Sequence, residues 1–136
     1  MLAAFGAAAE ALPSFAEQEA LFAALRRRLL DGLAGREGIV VNSPADGVPY
    51  IFNLSVPGVR SETMMHFLAE RGVYVSSGSA CSKGKKSPVL TALGFSAPRI
   101  DSALRLSFTH TTVPEEIDQF LAALGEAAAS LVRSSR

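Results

Sequence analysis

The feature that most constrains this chain is one long helix with a single apolar face. Ser14 can accept from the amides of a first helical turn, and Glu17, three residues on, can reach back to the amide of Ser14, a reciprocal pair that starts helices. Phe22, Leu25, Leu29 and Leu33 then recur at intervals of three and four and form one stripe, with Arg26, Arg27, Arg28 and Asp31 elsewhere on the circumference. Gly35 suits the stop. The Arg26 to Arg28 run reads as a solvated helix face rather than a binding site. A one-sided stripe must be buried against a second layer, and the residues that follow supply strands.

Residues 38–42 read as a strand, residues 43–47 (Ser-Pro-Ala-Asp-Gly) as a turn, and residues 50–56 as a second strand antiparallel to the first, which makes a hairpin. Ser61 can cap a helix through Met64, Met65, Phe67 and Leu68 to Arg71, ended by Gly72, with His66 on it given no catalytic role. Val73, Tyr74 and Val75 are β-prone. Pro88 can start a short helix to Leu93, residues 103–108 alternate as a strand, and the run from Thr112 to Glu115 suits a capping box for a last helix through Leu121, Leu124 and Leu131. The alanine-rich residues 2–12 suit a short helix packed on both sides. Mixed helices and strands with a hairpin predict an α+β domain, a small and largely antiparallel sheet with helices packed mainly on one face.

A length of 136 residues suits one domain over 1–136, able to bury about two thirds of its unfolded surface. Thirteen basic and thirteen acidic residues cancel, so no overall field draws the chain to nucleic acid or to an anionic membrane. No apolar run approaches the ~20 residues that span a bilayer. One cysteine cannot make a disulfide within the chain, and the start lacks the charged region of a signal peptide, which points to a reducing cytoplasm.

That cysteine, Cys81, follows the β-prone run inside Ser76-Ser-Gly-Ser-Ala-Cys81-Ser, with Lys83, Lys85 and Lys86 close behind. Thiolates are the nucleophilic form, nearby lysines favour them, and Gly78 and Gly84 let the segment move. A free cysteine is also commonly a small buried hydrophobe, so both readings stay open on local sequence alone. A phosphate-cradling loop fails on spacing: five residues separate Gly78 and Gly84 where four are needed, and two lysines precede Ser87.

The same segment resembles the SSGSAC[ST] motif of the NifS/IscS-type cysteine desulfurases, pyridoxal-phosphate enzymes of the class V aminotransferase family. Pro49-Tyr-Ile-Phe-Asn-Leu-Ser-Val-Pro-Gly58 is similar to that family's PNILN[VL]SFPG strand, Val89-Leu-Thr-Ala-Leu-Gly94 to its VL.ALG helix, Ala103-Leu-Arg-Leu-Ser107 to its SIRFS strand and Pro114-Glu-Glu-Ile-Asp118 to its TTEEEID helix start. The order is the family's, but the blocks cover only its small C-terminal domain. The Ser-x-His-Lys segment that holds pyridoxal phosphate belongs to the large domain and does not occur here.

The resemblance implies that a full-length protein converts L-cysteine to L-alanine with pyridoxal phosphate on the large domain acting as electron sink. Cys81 would attack the substrate sulfur and carry it as a persulfide to an acceptor or iron–sulfur scaffold protein, and Arg105 would grip the substrate carboxylate as a bidentate fork. It further implies a homodimer for the full-length protein and no cofactor on this piece alone. Without the resemblance, Arg105 reads as an arginine capping a strand in an ion pair. The alternative function is a non-enzymatic sulfur-carrying or protein-binding module that presents Cys81. Departures from the family pattern, Lys85-Lys86-Ser87-Pro88 after the cysteine, Ser107-Phe-Thr-His-Thr111 after the arginine and a shortened spacing between Cys81 and Arg105, bear on acceptor preference and loop reach.

Overall fold

The computed structural model describes residues 2–77 and 87–131. In chain order these form α1 (Leu2–Glu10), α2 (Phe15–Leu33), β1 (Val40–Val41), β2 (Ile51–Ser55), α3 (Ser61–Ala69), β3 (Ser76–Ser77), α4 (Pro88–Ala92), α5 (Ala97–Asp101), β4 (Ala103–Ser107) and α6 (Pro114–Leu131). The strands make one antiparallel sheet in the order β1-β2-β4-β3. Its register pairs Val41 with Leu54, Asn53 with Arg105, and Arg105 with Ser76.

Alternation along the strands gives the sheet two unlike faces. Phe52, Leu54, Leu104 and Leu106 point to one side and are buried there with Leu25 and Leu29 of α2, Met64 and Leu68 of α3, and Phe120 and Leu124 of α6. The opposite face carries Ile51, Asn53 and Ser55 on β2 against Ser107, Arg105 and Ala103 on β4. Helices α4 and α5 contribute only a small second cluster there, Leu90 and Ile100 with Ala103. The α+β architecture with helices mainly on one face is therefore the one expected from the pattern.

Local chemistry explains most element ends. The reciprocal cap of α2 is complete: the Glu17 amide donates to Ser14 Oγ at 3.3 Å and the Ser14 amide to Glu17 Oε2 at 2.9 Å. The Ser14 hydroxyl, which donates to Glu17 Oε2 at 2.6 Å, and after it the Ser14 amide hold the Glu17 carboxyl below its ordinary pKa. Past α3, Gly72 takes φ +73, a left-handed turn that lets Val73 N–H reach back to Leu68 O at 3.0 Å. Ser87 caps α4 through the Leu90 amide, with Pro88 in the first turn as expected.

Several expectations need correction. Arg26 does not face solvent: it is 92% buried, its guanidinium donates to Pro44 O and lies 5.3 Å from the Phe52 ring centroid, so it clamps the turn after β1. Ser61 is the first residue of α3 rather than its cap, and Arg60 at the cap position makes no side-chain cap bond. Thr112 does not cap α6; its hydroxyl accepts from the Thr109 amide, while Glu116 reaches back to the Val113 amide at 3.0 Å, one residue along. Residues 73–75 are not strand, because the ladder between β3 and β4 holds only at Ser76 and Ser77. The two segments then part around a cavity of about 300 Å³ lined by Val73, Val75, Leu106, Phe108 and Phe120. Helix α1 is exposed along its length rather than packed on both sides, with Phe5 77% exposed.

Candidate functional site

The polar face of the sheet carries a row that crosses all four strand positions. Asn42 lies just beyond β1 and its amide donates to Asn53 O at 2.9 Å; Asn53 is directly opposite Arg105, and Arg105 directly opposite Ser76. Directly paired residues share a face with Cβ atoms about 4.5–5.5 Å apart. The row therefore brings Asn42, Asn53, Arg105 and Ser76 side by side, on the side away from the main core.

Arg105 is half-buried in this row, yet its Nε is fully covered and makes no hydrogen bond among the described residues. No ion pair involves it there, so the reading of Arg105 as a strand-capping partner of a carboxylate finds no carboxylate. Covering a guanidinium N–H without an acceptor costs about 1–3 kcal/mol, a cost that an incoming anion would remove. Arg26 Nη1 is also covered and unpaired, but its guanidinium already has Pro44 and the Phe52 ring on the core side.

The β1 end of the row is rigid. Arg99 donates from Nε to Asn42 Oδ1 at 2.5 Å and from Nη2 to Val41 O at 3.0 Å, and its guanidinium lies 3.8 Å from the Phe95 ring centroid. Asn42 Nδ2 donates to Asn53 Oδ1 at 2.6 Å and to Ser55 Oγ at 2.7 Å, and Ser55 passes its own proton to Arg99 O at 2.6 Å. Arginine can only donate, so it fixes which end of the Asn42 amide is oxygen, and Asn42 in turn fixes Asn53. Sequence reading missed these residues. The available signal was two asparagines in or beside strand positions, where asparagine is disfavoured.

Cys81, Lys83, Lys85, Lys86, Gly78 and Gly84 lie outside the described residues. The chain leaves the described part at Ser77 on β3, next to Ser76 opposite Arg105, and re-enters it at Ser87. His66 is exposed, and no group of metal-ligating side chains occurs among the described residues. On the far side of the molecule, Arg28 and Asp118 join α2 to α6 through two hydrogen bonds; the Arg28 guanidinium holds the Asp118 carboxyl below its ordinary pKa. No described helix is long and apolar enough to cross a membrane.

A small antiparallel sheet with helices mainly on one face and, on the other, an arginine whose Nε has no acceptor among the described residues defines a class: a helix-backed α+β domain. The sequence model of the class V aminotransferases matches residues 1–120, and the chain belongs to that family. It is 36% identical over 107 residues to a NifS/IcsS protein homolog of Lactobacillus delbrueckii subsp. bulgaricus, covering 76% of this chain and 28% of that protein. It is 39% identical over 111 residues to the cysteine desulfurase IscS of Vibrio vulnificus, covering 79% of this chain and 27% of the relative. A solved NifS-like protein, 27% identical, superposes with a TM-score of 0.72 over 84% of this chain and 29% of its own. The chain thus spans little more than a quarter of the length of these relatives, as a domain of a NifS/IscS-type protein would.

Proposed function

We propose that this chain is the small domain of a cysteine desulfurase, supplying Arg105 as the substrate-carboxylate grip and Cys81 as the persulfide-forming nucleophile. The observation that carries the reading is the covered Nε of Arg105, which has no acceptor among the described residues, in a polar row on the sheet face away from the main core. A planar guanidinium with no acceptor among the described residues matches a carboxylate by two parallel hydrogen bonds. Cys81 is four residues beyond Ser77, a tether that spans at most about 14 Å when fully extended. A tether of that length is enough for the thiol to reach the surroundings of the arginine.

The described residues include no lysine to hold pyridoxal phosphate, and the three lysines of the chain fall within 78–86 without the Ser-x-His-Lys arrangement. The residues present do not fit the cofactor, which on this reading belongs to the large domain, where its chemistry is that of an electron sink. This chain contributes two acts. Arg105 fixes the substrate by its carboxylate so that its sulfur faces one direction. The Cys81 thiolate then forms an S–S bond to that sulfur as the substrate C–S bond breaks; the carbon takes the electron pair and a proton, alanine leaves, and the persulfide is handed to an acceptor protein. The compartment is a reducing cytoplasm, in which a lone thiol stays available.

The test is sulfide release from L-cysteine by the full-length protein. Cys81→Ser should abolish persulfide transfer, and Arg105→Lys should lower kcat/KM by roughly ten- to hundredfold, the equivalent of one lost charge-assisted bond. Wild-type rates in either variant would overturn the corresponding assignment. The 136-residue chain alone should be colourless and release no sulfide. A cofactor band that borohydride removes would refute that part.

A further inference from the structure

We infer that Asn53 is a second donor to the substrate carboxylate, aimed beside Arg105 by the Asn42–Arg99 pair; the inference rests on the carboxylate-gripping role proposed for Arg105. The geometry follows from the order of the strands. Strand β2 has β1 on one side and β4 on the other, so Asn53 has Asn42 to one side and Arg105 to the other. Its Oδ1 is turned toward Asn42, whose Nδ2 donates to it at 2.6 Å. With Oδ1 engaged by Asn42, the Nδ2 end of the planar amide is the end left available, and Arg105 is the next residue of the row.

The direction is dictated from outside the amide. Arg99 Nε can only donate, and it donates to Asn42 Oδ1 at 2.5 Å; Asn42 must therefore present Nδ2 to Asn53, and Asn53 must answer with oxygen. The hydrogen bond that the Asn53 amide makes in the row is through its oxygen, and the covered Nε of the neighbouring Arg105 has no acceptor among the described residues. Two donor-bearing residues are paired side by side, with Ser76 opposite Arg105 beyond them and no acidic side chain in the row. Donors gathered without an acid select a small anion with more than one oxygen, and a carboxylate has two. Arg105 supplies the charge, and Asn53 a neutral bond from a direction fixed before substrate arrives.

The test compares Asn53→Asp, Asn53→Ala and Arg105→Lys in the full-length enzyme by KM and kcat for L-cysteine. Asn53→Asp keeps an oxygen for Asn42, so the sheet edge stays in place, but turns an acceptor toward Arg105. A thermal melt within a few degrees of wild type checks the fold. Both Asn53 variants should raise KM about tenfold or more with kcat little changed, since the bond exists equally in ground and transition states. Asn53→Asp should be the worse of the two above pH 5, where its carboxylate is ionised and occupies Arg105. If Arg105→Lys raises KM while both Asn53 variants match wild type, the inference is overturned and the role of Arg105 stands. If Arg105→Lys is itself silent, or the wild type releases no sulfide, the underlying reading fails and takes the inference with it.

Discussion

Replacing Arg105 by methionine should make the 136-residue chain more stable and the full-length enzyme inactive. Methionine keeps most of the apolar stem of arginine but removes the covered Nε, which has no acceptor among the described residues. An unsatisfied buried donor costs about 1–3 kcal/mol, and the half-exposed remainder of the guanidinium gives part of that back through water, so a net gain of about 1 kcal/mol is expected. For a domain of this size each kcal/mol moves Tm by roughly 3–5 °C. The assay is paired: urea unfolding and thermal melting of the chain by circular dichroism, and sulfide release by the full-length protein. The two should change in opposite senses, as when a site holds a group for its ligand rather than for the fold. A loss of about 1 kcal/mol or more in the chain would refute the reasoning. It would mean that the guanidinium has a partner within the fold, which is the ion-pair reading of the same residue.

Other consequences can be measured separately. Leu124→Ala removes a fully buried side chain where α6 meets the core and should cost about 2–5 kcal/mol by urea unfolding, without altering the sheet register. Glu17 and Asp118 both have folded-state pKa values below their ordinary ones, through Ser14 and Arg28 respectively. Their contribution is therefore present above the ordinary carboxylate range and lost as pH falls through the lowered values, so acid stability should decline below about pH 4 and Asp118→Asn should flatten that decline. Cys81, with three lysines close in sequence, should react with iodoacetamide with an apparent pKa below the ~8.5 of a free thiol; a value at or above that would reject the electrostatic argument.

Much of the scaffold was legible because it is written in local chemistry. The cap at Ser14 and Glu17, the hairpin around residues 43–47 and the alternation of β4 each depend on neighbours a few residues away. Helix α5 escaped because five residues cannot display a helical period, although Ser96 and Pro98 mark its start. Arg26 was misread through its charge: it is four residues after Phe22 and three before Leu29, and so belongs to the apolar stripe by spacing. The chain buries it because the Pro44 carbonyl and the Phe52 face are there to receive it. The site divides in the same way. Arg105 could be named from its motif, but Asn42, Asn53 and Arg99 become neighbours of the site only once the register of β1 on β2 and of β2 on β4 is known. That register follows from tertiary packing.

Strand β3 attaches to the sheet by two rungs, Ser76 and Ser77, whereas β2 and β4 share five. Like the two-rung edge of β1 on β2, this edge is a weaker seam than the centre of the sheet, and opening it leaves the ladder between β2 and β4 intact. Gly72, already in a left-handed turn at the far end of the same short segment, is a natural pivot for such opening. Opening at the two rungs of β3 would therefore leave Arg105 held by the five-rung ladder between β2 and β4. On the proposed reading, grip and delivery would then be mechanically separate, joined by the one rung of Ser76 against Arg105.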